Sequence, residues 1–153
     1  MKERYQSKVA VFLILTRETN NKTEIMLQKR KNTGYMDGMY DMACSGHLEQ
    51  GESLAQAIVR EAKEELGIEV DEHDLELITL LHPYNEGYIN VFFKPKKYKG
   101  TPEILEKEKC DDLSWFDINN LPENVIPKIR NVIECIKKGI SYDDGDFSFL
   151  KRR

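Results

Sequence analysis

The chain has few cysteines, no long apolar run and no surplus of positive charge, and each shortage removes a class of protein. Its three cysteines, Cys44, Cys110 and Cys135, are odd in number and widely spaced. That pattern gives neither a disulfide framework nor a set of zinc ligands. They read as reduced thiols that pack, any one of which is free to line a pocket. The longest apolar run, Val9 to Leu15, is far short of the ~20 residues that span a bilayer. The first residues show no signal-peptide core, so no membrane attachment and a cytoplasmic location are expected. Lys plus Arg total 23 against 27 Asp plus Glu, a net charge of −4. This argues against a nucleic-acid polymer as partner. A small phosphorylated substrate remains open, because a metal ion can supply the missing positive charge. No internal repeat, low-complexity stretch or obvious linker interrupts the chain.

What is present is enough for one self-supporting domain over residues 1–153: 40% hydrophobic and 33% charged residues, a globular if polar composition. Val9 to Leu15 reads as a strand buried on both faces. Glu18 to Thr23, which contains Asn20-Asn21, reads as a turn, and Glu24 to Arg30 as a second strand. Gly34, Asp37 and Gly38 mark a long loop. Ser53 to Leu66 is the clearest helix, opened by a Ser53/Gln56 capping box and stopped by Gly67. Glu76–Leu81, Tyr88–Phe93 and Leu113–Asp117 read as further strands, the last holding the single tryptophan. A second helix is expected from about Glu123 to Lys138, with Pro127 in or before its first turn and Gly139 as its stop. The tail from 140 to 153 reads as either a short docked segment or a frayed end. Strands mixed with helices indicate an α/β or α+β layered domain with a mixed sheet.

The chemistry is concentrated between Gly46 and Ile68. Residues three and four apart share a helix face, so Glu61, Glu64 and Glu65 occupy one arc while Leu54, Ala55, Ile58, Ala62 and Leu66 supply the neighbouring apolar arc. Three carboxylates aimed at one spot repel one another, and a hard divalent cation with oxygen ligands resolves the conflict. Such a site suits phosphate chemistry. Taken alone, the same residues with Arg60 and Lys63 also read as an ordinary solvated face. The wider spacing separates the two. Gly46, Glu52, Arg60, Glu61, Glu64, Glu65 and Gly67 fit G-x5-E-x7-R-E-U-x-E-E-x-G-U at every fixed position. Identities at roughly 7% each put chance agreement at about 10⁻⁸ per window.

This segment resembles the Nudix box, and the chain is similar to Nudix hydrolases. The resemblance implies an α/β/α sandwich with a mixed β-sheet, in which the box forms a loop, helix and loop. It implies metal-dependent hydrolysis of a diphosphate linkage in a nucleoside diphosphate joined to a group X, with Mg²⁺, or Mn²⁺ in its place. By family position Glu61, Glu64 and Glu65 hold metal, the Gly46 carbonyl adds a ligand, and Glu52 pairs with Arg60, which orients the acids. The general base comes from the box helix, as Glu61 or Glu64, or from the loop 100–110, which offers Glu103, Glu106 and Glu108. Glu108 is taken as the further metal ligand, although this run also reads as solvated charge.

Substrate contacts lie outside the box. Tyr35 and Tyr40 border the expected pocket and either stack on a base or pack. Arg30 ends its strand where relatives acting on nucleoside triphosphates place an arginine on phosphate or base; a generic strand-end charge is the alternative. Trp115 falls near a base-facing position and is equally a core residue. Asn124 lies one residue out of register with a base-reading asparagine of mutator-type relatives. His47 and His82 are open to substrate contact. The resemblance favours a nucleoside triphosphate, deoxy or oxidised, cleaved to monophosphate and pyrophosphate. ADP-ribose or a nucleotide sugar is the alternative substrate, a non-catalytic nucleotide-binding regulator the alternative class, and a homodimer is compatible with either.

Overall fold

The structure is a computed structural model describing residues 2–151. Its strands are β1 (Lys8–Leu13), β2 (Thr16–Thr19), β3 (Lys22–Arg30), β4 (Tyr40–Met42) and β5 (Cys44–His47), followed by helix α1 (Leu54–Leu66). Then come a 3₁₀ turn at Glu72–Asp74, β6 (Leu75–Leu81), β7 (Tyr88–Pro95), β8 (Cys110–Asp117), α2 (Pro127–Lys137), β9 (Tyr142–Asp143) and α3 (Ser148–Lys151). The first sheet is mixed and runs β5-β1-β7-β6-β9. β1 lies parallel to β7 and antiparallel to β5. The second sheet is antiparallel: β3 pairs with β2 and β4 and, from Glu24↔Asp117 to Lys29↔Asp112 and then, after a one-residue shift, at Arg30↔Cys110, with β8.

Helices cover the two faces of this β layer. Alternate residues of β1 divide between them: Val11 and Leu13 pack with Ala57, Ile58, Ala62 and Leu66 of α1. Phe12 and Ile14 pack with Ile129, Val132 and Ile133 of α2. A strand with both faces covered must be apolar throughout, which is why Val9–Leu15 shows no alternation. The arrangement is the expected α/β/α sandwich, with a mixed sheet. Among the described residues no helix is long and apolar enough to cross a membrane.

Local signals account for the element ends. Asn20 and Asn21 both take positive φ, 52° and 64°, between Thr19 and its partner Lys22. Two left-handed residues are what a tight hairpin loop requires, and asparagine tolerates them best after glycine. Ser53 accepts from the Gln56 amide and the Gln56 side chain returns to Ser53, closing the capping box. Gly67 ends α1 at φ 70°. The second helix begins at Pro127 rather than near Glu123. Proline disfavours helical geometry in the residue before it, and the segment before it is used elsewhere: Tyr40 donates to the Asn124 carbonyl at 2.8 Å and Ile126 donates back to Tyr40 at 3.0 Å. The tail is docked as far as the described residues run. β9 pairs with β6, and the buried Asp143 carboxylate accepts from the amides of Gly145, Phe147 and Phe149.

Candidate active site

α1 packs beside β5, and this brings the box glycine and the box acids together. A Cβ at Gly46 would sit 2.2 Å from the Glu61 carboxyl carbon and Oε1. Only glycine lets that carboxylate lie against the strand.

Arg60 organises the cluster. Its Nε and Nη2 donate to the two oxygens of Glu52 at 3.1 and 2.8 Å. Its Nη1 donates to Glu61 at 2.7 Å and to Glu64 at 3.4 Å. Nη2 also reaches the His47 carbonyl at 3.2 Å. The fork fits because a guanidinium presents several donors in one plane. Hydrogen bonding from Arg60 lowers the Glu52 carboxyl below its ordinary range. Burial raises Glu61 in spite of Arg60, and the neighbouring Glu64 and Glu106 charges add to the rise.

Glu65 is deeper. It accepts from the Ser45 amide at 3.1 Å and from the buried Cys44 thiol. Burial foremost, with the charges of Glu61 and Glu106, pushes its carboxyl up to about 7. Burial and the Glu65 charge likewise push the Cys44 thiol up. Glu64 is half-exposed, with 54% of its side chain accessible.

These acids line one side of an open cavity of about 900 Å³. Arg30, Tyr35, Lys109 and Lys128 line the same cavity. Arg30 donates to the Tyr35 carbonyl at 2.7 Å and to buried Asp41 at 3.2 Å, and lies over the Tyr35 ring at 5.3 Å. Asp37 holds that loop in shape by accepting from the Thr33 and Gly34 amides. The donor set is all carboxylate and carbonyl oxygen, which suits a hard divalent cation. No three Asp, Glu, His or Cys side chains form a ready-made cage among the described residues. Mg²⁺ does not need one, since it is commonly held by one or two carboxylates with water and substrate phosphate.

The structure thus brings together Gly46, Glu52, Arg60, Glu61, Glu64 and Glu65, with Arg30 and Tyr35 lining the same cavity. Other expected contacts lie elsewhere. Glu108 is exposed outside the cavity wall, where its carbonyl accepts from Asn32; from the same loop it is Glu106 that lines the cavity. Tyr40 lies off the wall, its hydroxyl donating to Asp112 at 2.5 Å and its ring edge-on to Phe116. Trp115 packs in the α1-side core with Arg17 4.4 Å above its ring. Asn124 donates to the Gly38 carbonyl and so ties down the loop rather than facing the cavity. His47 lines the wall and His82 does not. The lining residues that went unread in the sequence include Lys128, in the first turn of α2, and Asn90, in the middle of β7. A lone amide inside the apolar run Tyr-Ile-Asn-Val-Phe-Phe is a signal that could have found the second.

The family model of the NUDIX domain matches residues 6–135. The chain belongs to the NUDIX family. Its box therefore belongs to a family of hydrolases acting on pyrophosphate bonds, which generally use divalent metal ions. The chain is 30% identical over 89 residues to the NAD-capped RNA hydrolase NudC of Stutzerimonas stutzeri, covering 58% of this chain and 30% of that protein. It is 31% identical over 94 residues to an uncharacterised Nudix hydrolase of Listeria monocytogenes, covering 61% of this chain and 55% of that one. It spans about a third of the length of the NudC relatives. Among solved structures, a MutT NUDIX hydrolase from Burkholderia pseudomallei superposes with a TM-score of 0.70 at 23% identity, covering 84% and 97% of the two chains. The NUDIX domain of Shewanella oneidensis NrtR, complexed with ADP ribose, superposes at 0.67 and 16% identity, covering 91% of each. At these identities the superpositions show the fold of the NUDIX domain.

Proposed function

We propose that this NUDIX protein is a Mg²⁺-dependent pyrophosphohydrolase that cleaves a nucleoside triphosphate to a monophosphate and pyrophosphate. The observation carrying the reading is the Arg60 fork, which holds Glu52, Glu61 and Glu64 beside buried Glu65 at a cavity that Arg30, Lys109 and Lys128 also line. Glu61, Glu64 and Glu65, with the Gly46 carbonyl, are the groups that would hold the metal, and Glu106 is the loop acid best placed to join them. Bound Mg²⁺, or Mn²⁺, neutralises phosphate charge and lowers the pKa of a water. Arg60 keeps the acids in place without touching substrate. Arg30, Lys109 and Lys128 bind and orient the phosphates. A carboxylate of the cluster takes the proton of the attacking water as its oxygen bonds to one phosphorus and the bridging P–O bond breaks.

A second reading, cleavage of ADP-ribose or a nucleotide sugar to two monophosphates, draws on a structural neighbour from Streptococcus suis named an ADP-ribose pyrophosphatase and on relatives named NAD-capped RNA hydrolases. The test is a panel of common and oxidised nucleoside triphosphates, ADP-ribose, nucleotide sugars and NADH, with Mg²⁺ and with EDTA, products resolved by chromatography. Metal-dependent pyrophosphate release from a triphosphate supports the first reading. Two monophosphates from ADP-ribose or a nucleotide sugar support the second. Tight nucleotide binding without turnover overturns both in favour of a regulator.

A further inference from the structure

Three buried polar groups near or behind the cavity can be compared by their partners. Asp41 spends its oxygens on Arg30 and on the Met42 amide. Asp143 spends its oxygens on the C-terminal loop amides. Asn90 differs: it is 3% exposed, it lines the cavity, and its Nδ2 has no hydrogen-bond partner among the described residues. A buried donor left unpaired destabilises the free protein, and unlike the similarly unpaired His82 Nε2, the Asn90 amide lies on the cavity wall, where a ligand can supply its partner.

The surroundings define that partner. Asn90 pairs across the sheet with Ala10, and Ala10 pairs with His47, next to the box glycine. Alternation along β7 puts Tyr88, Asn90 and Phe92 on one face, and Phe92 stacks on Phe12 at 4.5 Å. Ala10, Phe12, Tyr88 and Asn90 all line the cavity, with the small Ala10 directly across the strand pair from the Asn90 amide. Two strand spacings, about 10 Å, separate Asn90 from the box end of the cavity. A nucleoside sugar bridges a comparable gap between its phosphate and its base. Aromatic side chains in a cavity wall favour a heterocycle, and an amide offers a donor and an acceptor side by side.

We infer that Asn90 reads the heterocyclic base of the substrate, pairing its amide with an adjacent acceptor and donor on the base edge, in the part of the cavity lined by Ala10, Phe12 and Tyr88. This rests on the nucleotide reading above. It places base recognition on the central sheet, not on Asn124 or Trp115.

The test is equilibrium binding by calorimetry in Mg²⁺. The probes are non-hydrolysable imido analogues of the adenine, guanine, cytosine and uracil nucleoside triphosphates, with inorganic imidodiphosphate as the probe that lacks a base. For Asn90→Leu the affinity for the preferred nucleotide falls about tenfold or more, the spread among bases collapses, and imidodiphosphate affinity is unchanged. The ligand-free thermal midpoint rises by about 2–4 °C, because the unpaired donor is gone. Asn90→Asp, which keeps the shape and replaces the donor by an acceptor, reorders the base preference; it carries the test should Asn90→Leu fail to fold. Parallel loss of imidodiphosphate binding, or unchanged nucleotide affinities, overturns the assignment. So does a wild-type protein that binds nucleotides no better than imidodiphosphate. The hydrolase reading fails separately, by absence of metal-dependent turnover in the substrate panel.

Discussion

The box glycine is the most exacting contact of the site. In Gly46→Ala the new Cβ would lie 2.2 Å from the Cδ and Oε1 of Glu61 and 2.5 Å from its Cγ. Gly46 is not among the residues with positive φ, so its backbone suits alanine and the conflict is steric alone. A side-chain tip can ordinarily swing aside at little cost. Here it cannot do so freely, because Arg60 holds Glu61 at 2.7 Å and burial leaves only 14% of its side chain accessible. The displacement needed is about 1 Å, and a charge-assisted hydrogen bond worth about 1.5–3 kcal/mol is broken or bent. A misplacement of about 1 Å at a reacting centre costs on the order of 10²-fold in rate. The expected outcome is a kcat for Mg²⁺-dependent hydrolysis about a hundredfold lower. The thermal midpoint falls by no more than about 3–12 °C, since 1 kcal/mol shifts it by about 2–4 °C at this size. The assay is pyrophosphate release at saturating Mg²⁺ alongside calorimetric unfolding. Repeating the substitution in a Glu61→Ala background decides the cause. With the glutamate gone, alanine at 46 has room, and its cost to stability should vanish, a coupling that only neighbours in contact produce. Near-normal kcat in Gly46→Ala, or the same stability loss in both backgrounds, would refute the reasoning.

Arg60→Ala should lower kcat much more than it raises KM, and Arg60→Lys should rescue little, because an ammonium cannot hold Glu52 and Glu61 at once; a pure KM effect counts against the positioning role. Glu65→Gln should remove more than about nine-tenths of kcat while the fold is kept, since Gln still accepts from the Ser45 amide. The raised Glu65 carboxyl, near 7, binds its proton more tightly in the folded chain than in the unfolded one, so its contribution to stability is lost as pH rises through that value. In EDTA the Glu65→Gln midpoint should therefore exceed the wild-type midpoint above pH 7, and the gap should close on acidification towards the ordinary carboxylate range; a constant gap would argue otherwise. In the loop before β8, Glu106→Gln should impair hydrolysis and Mg²⁺ binding more than Glu108→Gln, with metal titration of both variants as the check; the reverse order would return the role to Glu108.

Much of this protein could be read without coordinates because the decisive signals are local. Glu61, Glu64 and Glu65 share a face because a helix turns about 100° per residue. Ser53, Gln56 and Gly67 bound that helix through bonds that span a few residues. Asn20-Asn21 and Pro127 act in the same short range. The strands β4 and β9, at three and two residues, were missed because so short a segment has no period to detect. Ala57, buried while Ala55 is only partly so, shows that the apolar face of α1 is set by what it packs on as well as by its own pattern.

What the sequence by itself determined was the box: its helix, its caps, the common face of its acids and the NUDIX family they belong to. Tertiary structure alone decided which distant residues meet it. Glu106 and Glu108 are chemically alike and two positions apart, and only the path of the loop onto α1 puts Glu106 on the cavity. Tyr40, Trp115 and Asn124 carry the side chains a base-binding site would use, yet packing turns them to Asp112, Arg17 and the Gly38 carbonyl. Asn90, hidden in an apolar strand, is brought to the wall by the parallel pairing of β7 with β1. Helix faces follow from the geometry of one turn, whereas a cavity wall is assembled from segments whose register only the folded sheet sets.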